Sequence, residues 1–428
     1  MMEQKERALL VGVNLKNQHE IDFNYSMEEL KELAIACEME VVGMVSQKLN
    51  RVNTSHYIGK GKIEEVIQCI EHQEANVVVF DDELSPSQIK NLESDLDCKV
   101  IDRTMLILDI FGERAKTKEA KLQVEVAQLE YMLPRLIGLR ESLGRQGGGS
   151  GLKNRGAGET KLELDRRKIE ERITSLNKEL EILVSQREMQ RKQRRKNEIP
   201  IVSLVGYTNA GKSTIMNAMV ERFNKSTNKQ VFEKDMLFAT LDTSVRSIKL
   251  PDNKSFLLTD TVGFVAKLPH HLVKAFRSTL EEVAEADLLI HVVDYSNPHY
   301  QKMIDTTLET LKKLEIQDIP MIYAFNKADL VQLEIPKVTD HNVYLSAKQK
   351  IGIDQMNELI KREIFKDYIL CEMLIPYEKG EIISYLNEYA NVLETSYEPD
   401  GTKVKLDCKN NDYEKYQQYV VTEEQANI

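Results

Sequence analysis

No apolar run in this chain reaches the length that crosses a bilayer, so no membrane insertion is expected. The opening residues, MMEQKERALLVGV, hold no apolar h-region, and no secretory leader is expected. Cysteine is scarce: five in 428 residues, Cys37, Cys69, Cys98, Cys371 and Cys408, far apart and without a CxxC pair. That speaks against structural zinc and for a reduced, cytoplasmic setting, with buried inert thiols as the default. An excess of positive charge is missing too. The formal net charge is -11, which argues against a general nucleic-acid coat. A local basic patch is still allowed, because docking follows the local field.

What is present is a chain too long for one ordinary core, so two to four domains are expected. The expected class is multidomain α/β. Residues 1–112 alternate short apolar runs (ALLVGV, EVVGMV, ANVVVF, CKVID) with helical patterns such as SMEELKELAIAC and SPSQIKNLESDL. Strand and helix in regular order predict a parallel α/β layer. Asp81, Asp82 and Glu83 follow the third strand. They read as a solvated turn and helix cap, ahead of a metal site. YIGKGK, Tyr57 to Lys62, is glycine-rich and basic but lacks phosphate-loop spacing.

Residues 113–197 change character. Leu122, Val126, Leu129, Leu133 and Leu136 are spaced 4, 3, 4, 3, and Ile169, Ile173, Leu176, Leu180 and Leu183 repeat that rhythm. Two such seams joined by a glycine-rich loop predict an antiparallel helical hairpin, with Pro134 placed to kink its first arm. The second arm, helical from Glu159 to Lys196, would run roughly 55 Å. Its end, REMQRKQRRK, carries six cations and one anion. It reads equally as a solvated helix end and as an RNA contact. Residues 198–367 are expected to form a P-loop α/β domain. Residues 368–428 are expected to form a small α+β domain, with strands CEMLIP and GTKVKLDC around one helix, EIISYLNEYANVL.

GYTNAGKST follows a strand and opens a helix, giving G-x-x-x-x-G-K-S from Gly206 to Ser213. Its glycines let backbone N–H groups wrap a phosphate. Lys212 reaches the β- and γ-phosphates, the Ser213 hydroxyl suits Mg2+, and Asn209, Ala210, Gly211 and Thr214 complete the loop. Downstream, DTVG offers Asp260 for magnesium and the Gly263 amide for the γ-phosphate. NKAD, Asn326, Lys327 and Asp329, offers a carboxylate that can accept from guanine N1 and N2. SAK, Ser346, Ala347 and Lys348, can back the guanine O6. Thr240 can place a hydroxyl on magnesium and an amide on the γ-phosphate. Five motifs in this order, each at a strand end, predict a GTPase, with Lys212, Thr240 and Gly263 as catalytic candidates. Where Ras-like enzymes carry a water-orienting Gln, this chain has Phe264, so slow intrinsic hydrolysis is expected. Asn209 stands where potassium-dependent GTPases carry Asn. Two readings stay open there: a K+ ligand, or a residue that orders the loop.

On YIGKGK, DDELSPSQIKNLE, VIDRTMLILDIFGERAKTKEAKLQVEVAQLEYMLPRL, RQGGG, RGAGETKLELDRR, GYTNAGKST and DTVGFVAKLPHHLVKAF, the chain resembles the HflX family of GTPases over nearly its whole length. The resemblance implies a GTPase that binds the large ribosomal subunit and splits stalled or idle ribosomes, notably under stress. It implies that the hairpin tip approaches the peptidyl transferase centre, with Arg145, Gly147, Gly148, Gly149, Lys153, Asn154 and Arg155 against rRNA. Glycines allow close backbone approach, and Arg140, Arg145, Lys153 and Arg155 add charge. A monomer off the ribosome is expected. The chain departs from the family pattern at Ala157, Lys161 and Leu164, at DTSVR, and in a tip loop about two residues longer at Lys153 and Asn154. A longer cationic tip suggests protection of ribosomes from macrolide- or lincosamide-type antibiotics; a neutral length change is the competing reading. Two readings of other classes remain beside ribosome splitting: a nucleotide-switched RNA-binding or RNA-remodelling protein, and a regulatory module whose hairpin docks a protein.

Overall fold

Four apolar runs build the first sheet: β1 (Arg7–Leu15), β2 (Glu40–Leu49), β3 (Val77–Phe80) and β4 (Lys99–Asp102). The order is β2-β1-β3-β4, all parallel. The two central strands are the most continuously Val- and Leu-rich, as burial on both faces requires. In the computed structural model the residues described are 5–16, 19–146, 155–196, 199–224, 238, 243–268 and 282–421. Packing divides the chain into two units. One holds Met1–Lys192, Lys234–Asp242 and Gly263–Thr279; the other holds Gln193–Glu233, Thr243–Val262 and Leu280–Ile428.

In the first unit, α1 (Glu20–Ala36), α2 (Lys60–Gln73) and α3 (Pro86–Leu96) link the strands, and α4 (Arg103–Arg114) follows β4. Two of these helices, α3 and α4, start on a side-chain cap. Ser85 and Gln88 close a capping box on α3, with Gln88 N donating to Ser85 Oγ at 3.3 Å and Ser85 N to Gln88 Oε1 at 2.9 Å. Asp102 caps α4 by accepting from Met105 N at 3.0 Å. YIGKGK turns out to be the approach to α2, whose N-cap is Gly59. Tyr57 is buried there and its hydroxyl donates to Asp82.

The hairpin arms are α5 (Lys118–Gln146), which continues through Pro134, and α6 (Arg155–Lys196), which starts four residues before the expected Glu159. Leu122, Val126 and Leu176 are buried in the seam, with Leu129, Ile173, Leu180 and Leu183 packed against them. Ion pairs Arg187–Glu119, Lys118–Glu179 (3.3 Å) and Arg172–Glu125 (2.8 Å) flank it.

The second unit carries a seven-stranded sheet of β5 (Ile201–Gly206), β6 (Ser244–Lys249), β7 (Ser255–Asp260), β8 (Leu288–Asp294), β9 (Met321–Asn326), β10 (Lys337–Thr339) and β11 (Asn342–Tyr344). The order is β10-β11-β9-β8-β5-β7-β6, parallel except for the two outermost pairings. Helices α7 (Lys212–Phe223), α8 (Tyr300–Lys313) and α9 (Ile353–Ile364) join them, and α7 and α9 share the apolar core with β5, β7, β8 and β9. Strand carboxyl ends of such a sheet are where ligands bind.

Beyond it lie β12 (Tyr368–Ile375), α10 (Gly380–Tyr389), β13 (Asn391–Glu398), β14 (Gly401–Lys409) and α11 (Asn410–Lys415), with an antiparallel sheet ordered β12-β14-β13. The expected helix EIISYLNEYANVL therefore ends early. Ala390 is extended, and Asn391 begins a third strand whose middle is exposed on both faces, so no apolar alternation marks it. Cys371 and Cys408, 37 residues apart in sequence, lie with sulfurs 3.9 Å apart in this core. Among the described residues no helix is long and apolar enough to cross a membrane.

Candidate nucleotide site

The phosphate-loop candidates sit between the end of β5 and the start of α7. Two glycines are sterically required. A Cβ on Gly206 would lie 2.2 Å from the Val292 carbonyl oxygen of β8, and one on Gly211, at φ 95°, would lie 2.2 Å from Asn326 Nδ2. Asn209 takes a left-handed φ of 59°, a conformation Asn tolerates. Ala210 is buried, and Lys212, Ser213 and Thr214 form the first turn of α7, where free N–H groups attract anions. Lys212 is buried, and its Nζ donates to the carbonyls of Gly206 (3.1 Å) and Tyr207 (2.8 Å). Burial lowers its pKa to about 8 against the pull of Asp260. His291, on β8 beside Val205 of β5, is buried, and Nδ1 finds no hydrogen-bond partner among the described residues. Burial, and then the Lys212 charge, lower its pKa to about 3, so the imidazole is neutral.

The magnesium candidates also converge. Parallel pairing of β5 and β7 sets Asp260 opposite Leu204, and Ser213 Oγ donates to Asp260 Oδ2 at 2.6 Å. Thr261 Oγ1 donates to the Leu204 carbonyl at 2.8 Å and fixes the strand end. A hydroxyl and a carboxylate at one point, beside a loop shaped for phosphates, fit a hard octahedral cation that keeps few protein ligands. P-loop GTPases use Mg2+ with their nucleotide in this way.

The base-recognition candidates are tied to the phosphate loop by one side chain. Asn326 is buried; its Nδ2 donates to the Ala210 carbonyl (2.9 Å) and its Oδ1 accepts from Ala347 N (3.0 Å). Lys327, at φ 60°, pairs with Asp294 at 2.8 Å. Asp329 lies in a short 3-10 turn and accepts from Gln349 Nε2 at 3.1 Å. Ser346 is buried, accepts from Gln349 N at 3.3 Å and donates its own N–H to Ile351; Lys348 is exposed. Sequence reasoning missed Asp294 and Gln349. Asp294 had a signal, since HVVD ends a strand as the other motifs do.

Other expected site residues fall elsewhere. Thr240 lies outside the described residues. So do Gly147, Gly148, Gly149, Lys153 and Asn154 of the tip. Arg140, Arg145 and Arg155 are on α5 and α6, but their side chains are outside the description. Gly263 belongs with the first unit, as does Phe264, which is 1% exposed and turned away from water.

The acidic triplet is no helix cap, and of its three residues only Glu83 is exposed to solvent. Ser85 does the capping, and Asp81 is buried against Arg103 Nη2 (2.7 Å) and Lys267 Nζ (2.5 Å). Asp82 also takes Lys267, at 2.6 Å. Arg103 further donates to Glu29 Oε2 at 2.5 Å, to the Ser26 carbonyl at 2.8 Å and to the Ala266 carbonyl at 3.4 Å. Burial pushes Asp81 up, but Arg103 and Lys267 outweigh it and hold the carboxyl at about 2. Phe238 packs edge-on against Phe111 of α4 at 4.7 Å.

Comparison with known proteins agrees along the chain. Residues 24–112 match the family described as GTP-binding GTPase N-terminal, 114–194 the GTP-binding GTPase Middle Region, and 201–327 the 50S ribosome-binding GTPase domain. GTPase HflX of Caldanaerobacter subterraneus subsp. tengcongensis is 46% identical over 98% of this chain and 94% of its own. The Lacrimispora saccharolytica protein of the same name is 44% identical over 94% and 93%. That of Escherichia coli K12 is 37% identical over 93% and 92%.

Proposed function

Because the chain belongs to the HflX family of GTPases, we propose that it binds GTP with Mg2+ at this site, docks on the large ribosomal subunit and dissociates stalled or idle ribosomes. The observation that carries the nucleotide assignment is the Asn326 amide, which joins the phosphate loop at Ala210 to the SAK loop at Ala347. In this reading the first-turn N–H groups of α7 and Lys212 hold the phosphates. Ser213, Thr240 and Asp260 would hold Mg2+, which neutralises charge on the β- and γ-phosphate oxygens. The Gly263 amide donates to the γ-phosphate while water attacks phosphorus in line, giving GDP and phosphate. Asp329 selects guanine, with Ser346, Ala347 and Lys348 behind O6. Phe264 leaves the water without a side-chain acceptor, so the ribosome supplies the missing order; Asn209 either orders the loop or would hold a K+ ion, which would supply positive charge beside the phosphates.

The division of labour follows the chain. Residues 1–112 form the N-terminal α/β domain, 113–197 the hairpin, 198–367 the GTPase domain and 368–428 the C-terminal domain. The hairpin tip, Arg145 to Arg155, meets rRNA near the peptidyl transferase centre, and its added length protects ribosomes from antibiotics bound there. The protein works as a cytoplasmic monomer until it meets the subunit. Light scattering of intact ribosomes tests the central claim. Addition of protein and GTP lowers the signal, while protein with GDP leaves it unchanged. A signal unmoved by GTP, with the protein still bound to large subunits, favours nucleotide-switched RNA binding without splitting. Deleting Lys153 and Asn154 should remove any rise in macrolide inhibitory concentration; an equal concentration with and without them rejects the protective role.

A further inference from the structure

Within the second unit, the antiparallel ribbon of β6 and β7 ties two distant places together. At one end Ser244 lies opposite Asp260, the carboxylate on the magnesium side of the nucleotide site; at the other Lys249 lies opposite Ser255. Residues 250–254 close the ribbon, with Leu250 N donating to the Lys254 carbonyl at 2.8 Å. Three successive side chains of that turn are held from outside the ribbon. Asp252 pairs with Lys361 of α9 at 2.9 Å. Asn253, at a left-handed φ of 58°, donates from Nδ2 to the carbonyls of Asn387 and Ala390 at the end of α10, each at 3.3 Å. Lys254 reaches Asp407 of β14 at 2.5 Å, and its Nζ lies 5.2 Å from the ring centroid of Phe365 and 4.5 Å from that of Tyr368. The Lys254 side chain is 10% exposed and that of Asp407 22%, so the pair is largely out of water, unlike surface pairs, which contribute little. Phe365 and Tyr368 bracket the passage from α9 to β12, where the C-terminal sheet begins.

We propose that Lys254 is a positioning residue for Mg2+ at the nucleotide site, acting through β7 with the C-terminal sheet as its anchor. Strand β5 grips β7 only from Leu257 to Asp260, and among the described residues β6 has no strand beside it other than β7. Pairing confined to one end leaves a strand free to rock about that end. β7 runs six residues, about 20 Å at 3.3 Å each, so movement at the turn rotates the Asp260 end. The hold on Lys254 stops that rocking, and the carboxylate that accepts from Ser213 Oγ at 2.6 Å keeps its direction. Metal affinity depends on such support of a ligand by groups that do not themselves meet the metal. Lys254 acts at a distance, from the opposite end of the ribbon. The inference rests on the GTP and Mg2+ site proposed above and deepens it.

The test uses the full-length protein and a fluorescent GDP, whose release is followed as Mg2+ is titrated, so that hydrolysis plays no part. The quantity read is the Mg2+ concentration that gives half of the full slowing of release. Lys254→Met should raise that midpoint about fivefold, below the roughly 10–100-fold typical of an outer-shell partner in direct contact. Its affinity for the nucleotide without magnesium should stay within about twofold of wild type. Lys254→Arg, which keeps the cation, should restore most of the midpoint. Asp407→Asn should raise the midpoint alone and add nothing to Lys254→Met. Asn253→Gly accepts the left-handed φ and removes only the two bonds to the end of α10, so it loosens the same hold without unpairing Asp407, and the midpoint should rise about twofold. An unchanged midpoint in Lys254→Met overturns the proposal whatever the urea midpoint, since a packing role moves stability alone; should that variant not fold, an unchanged midpoint in Asn253→Gly overturns it. Full additivity of Lys254→Met with Asp407→Asn does so too. Wild type that holds GDP no better with Mg2+ than without rejects the site itself, whereas a Mg2+-dependent wild type matched by the variants rejects only the positioning role.

Discussion

At position 329 the proposed reading gives two carboxylate oxygens the choice of purine. Gln349 already orients Asp329 by a 3.1 Å bond. Two charge-assisted bonds to guanine, each contributing about 1.5–3 kcal/mol, imply that Asp329→Asn lowers GTP affinity by about 10²- to 10⁴-fold. The variant should gain affinity for xanthosine triphosphate, whose extra carbonyl matches an amide donor. Fluorescent-nucleotide titration reads both, and equal GTP affinity in the two proteins rejects the assignment. His291 makes a different kind of prediction. Its folded pKa of about 3 lies below the ordinary 6.5, so between those values the unfolded chain takes up a proton that the folded one refuses. Its stabilising contribution is therefore complete above about pH 6.5 and is lost as pH falls toward 3. His291→Phe removes that titration and keeps the ring beside Tyr323. Between pH 6.5 and 5, wild type should lose about 1.6 kcal/mol more stability than the variant, read from urea midpoints. Parallel losses reject it.

The hairpin is the element whose sequence speaks most clearly and whose energetics are simplest. Leu176 is fully buried in the seam, whereas Ile182, six residues on in the same helix, is 59% exposed. Leu176→Ala should destabilise the hairpin by about 2–5 kcal/mol, and Ile182→Ala should stay within about 0.5 kcal/mol of wild type. Hydrogen exchange along α6 separates the two, and similar exchange in both variants rejects the seam. That seam was legible because a 3.5-residue repeat is a local property, visible without any partner. The phosphate loop was legible for a similar reason: its chemistry is backbone geometry encoded by two glycines five positions apart, Gly206 and Gly211. Asp81 was misread because its partners, Arg103 and Lys267, are 22 and 186 residues away, and no local pattern announces a buried ion cluster. Asn326 was read as part of a base motif, but its bond to Ala210 spans 116 residues and had no sequence signal. Strand β13 escaped because exposed edge residues do not alternate.

At the scale of the whole molecule, the consequence to test is dependence on a partner. A GTPase with Phe264 in place of a water-orienting side chain should hydrolyse slowly alone and at least about tenfold faster with large ribosomal subunits. The stimulated rate should be higher in potassium than in matched sodium buffer. Multiple-turnover phosphate release measures all three conditions. A free rate equal to the stimulated one rejects the need for a partner, and identical rates in the two salts remove Asn209 as a cation ligand. The long arm of the hairpin adds a mechanical consequence. Helix α6 has 42 residues, about 63 Å at 1.5 Å each, and among the described residues the ion pair between the arms furthest toward its free end is Arg172–Glu125. A tilt of about 5° at the root swings the far end of such a rod through about 5 Å, comparable to one helical turn. Leverage of that size makes Glu119, Glu125 and Leu176 aiming elements: set well back along the arms, they fix the direction in which the far end of α6 points.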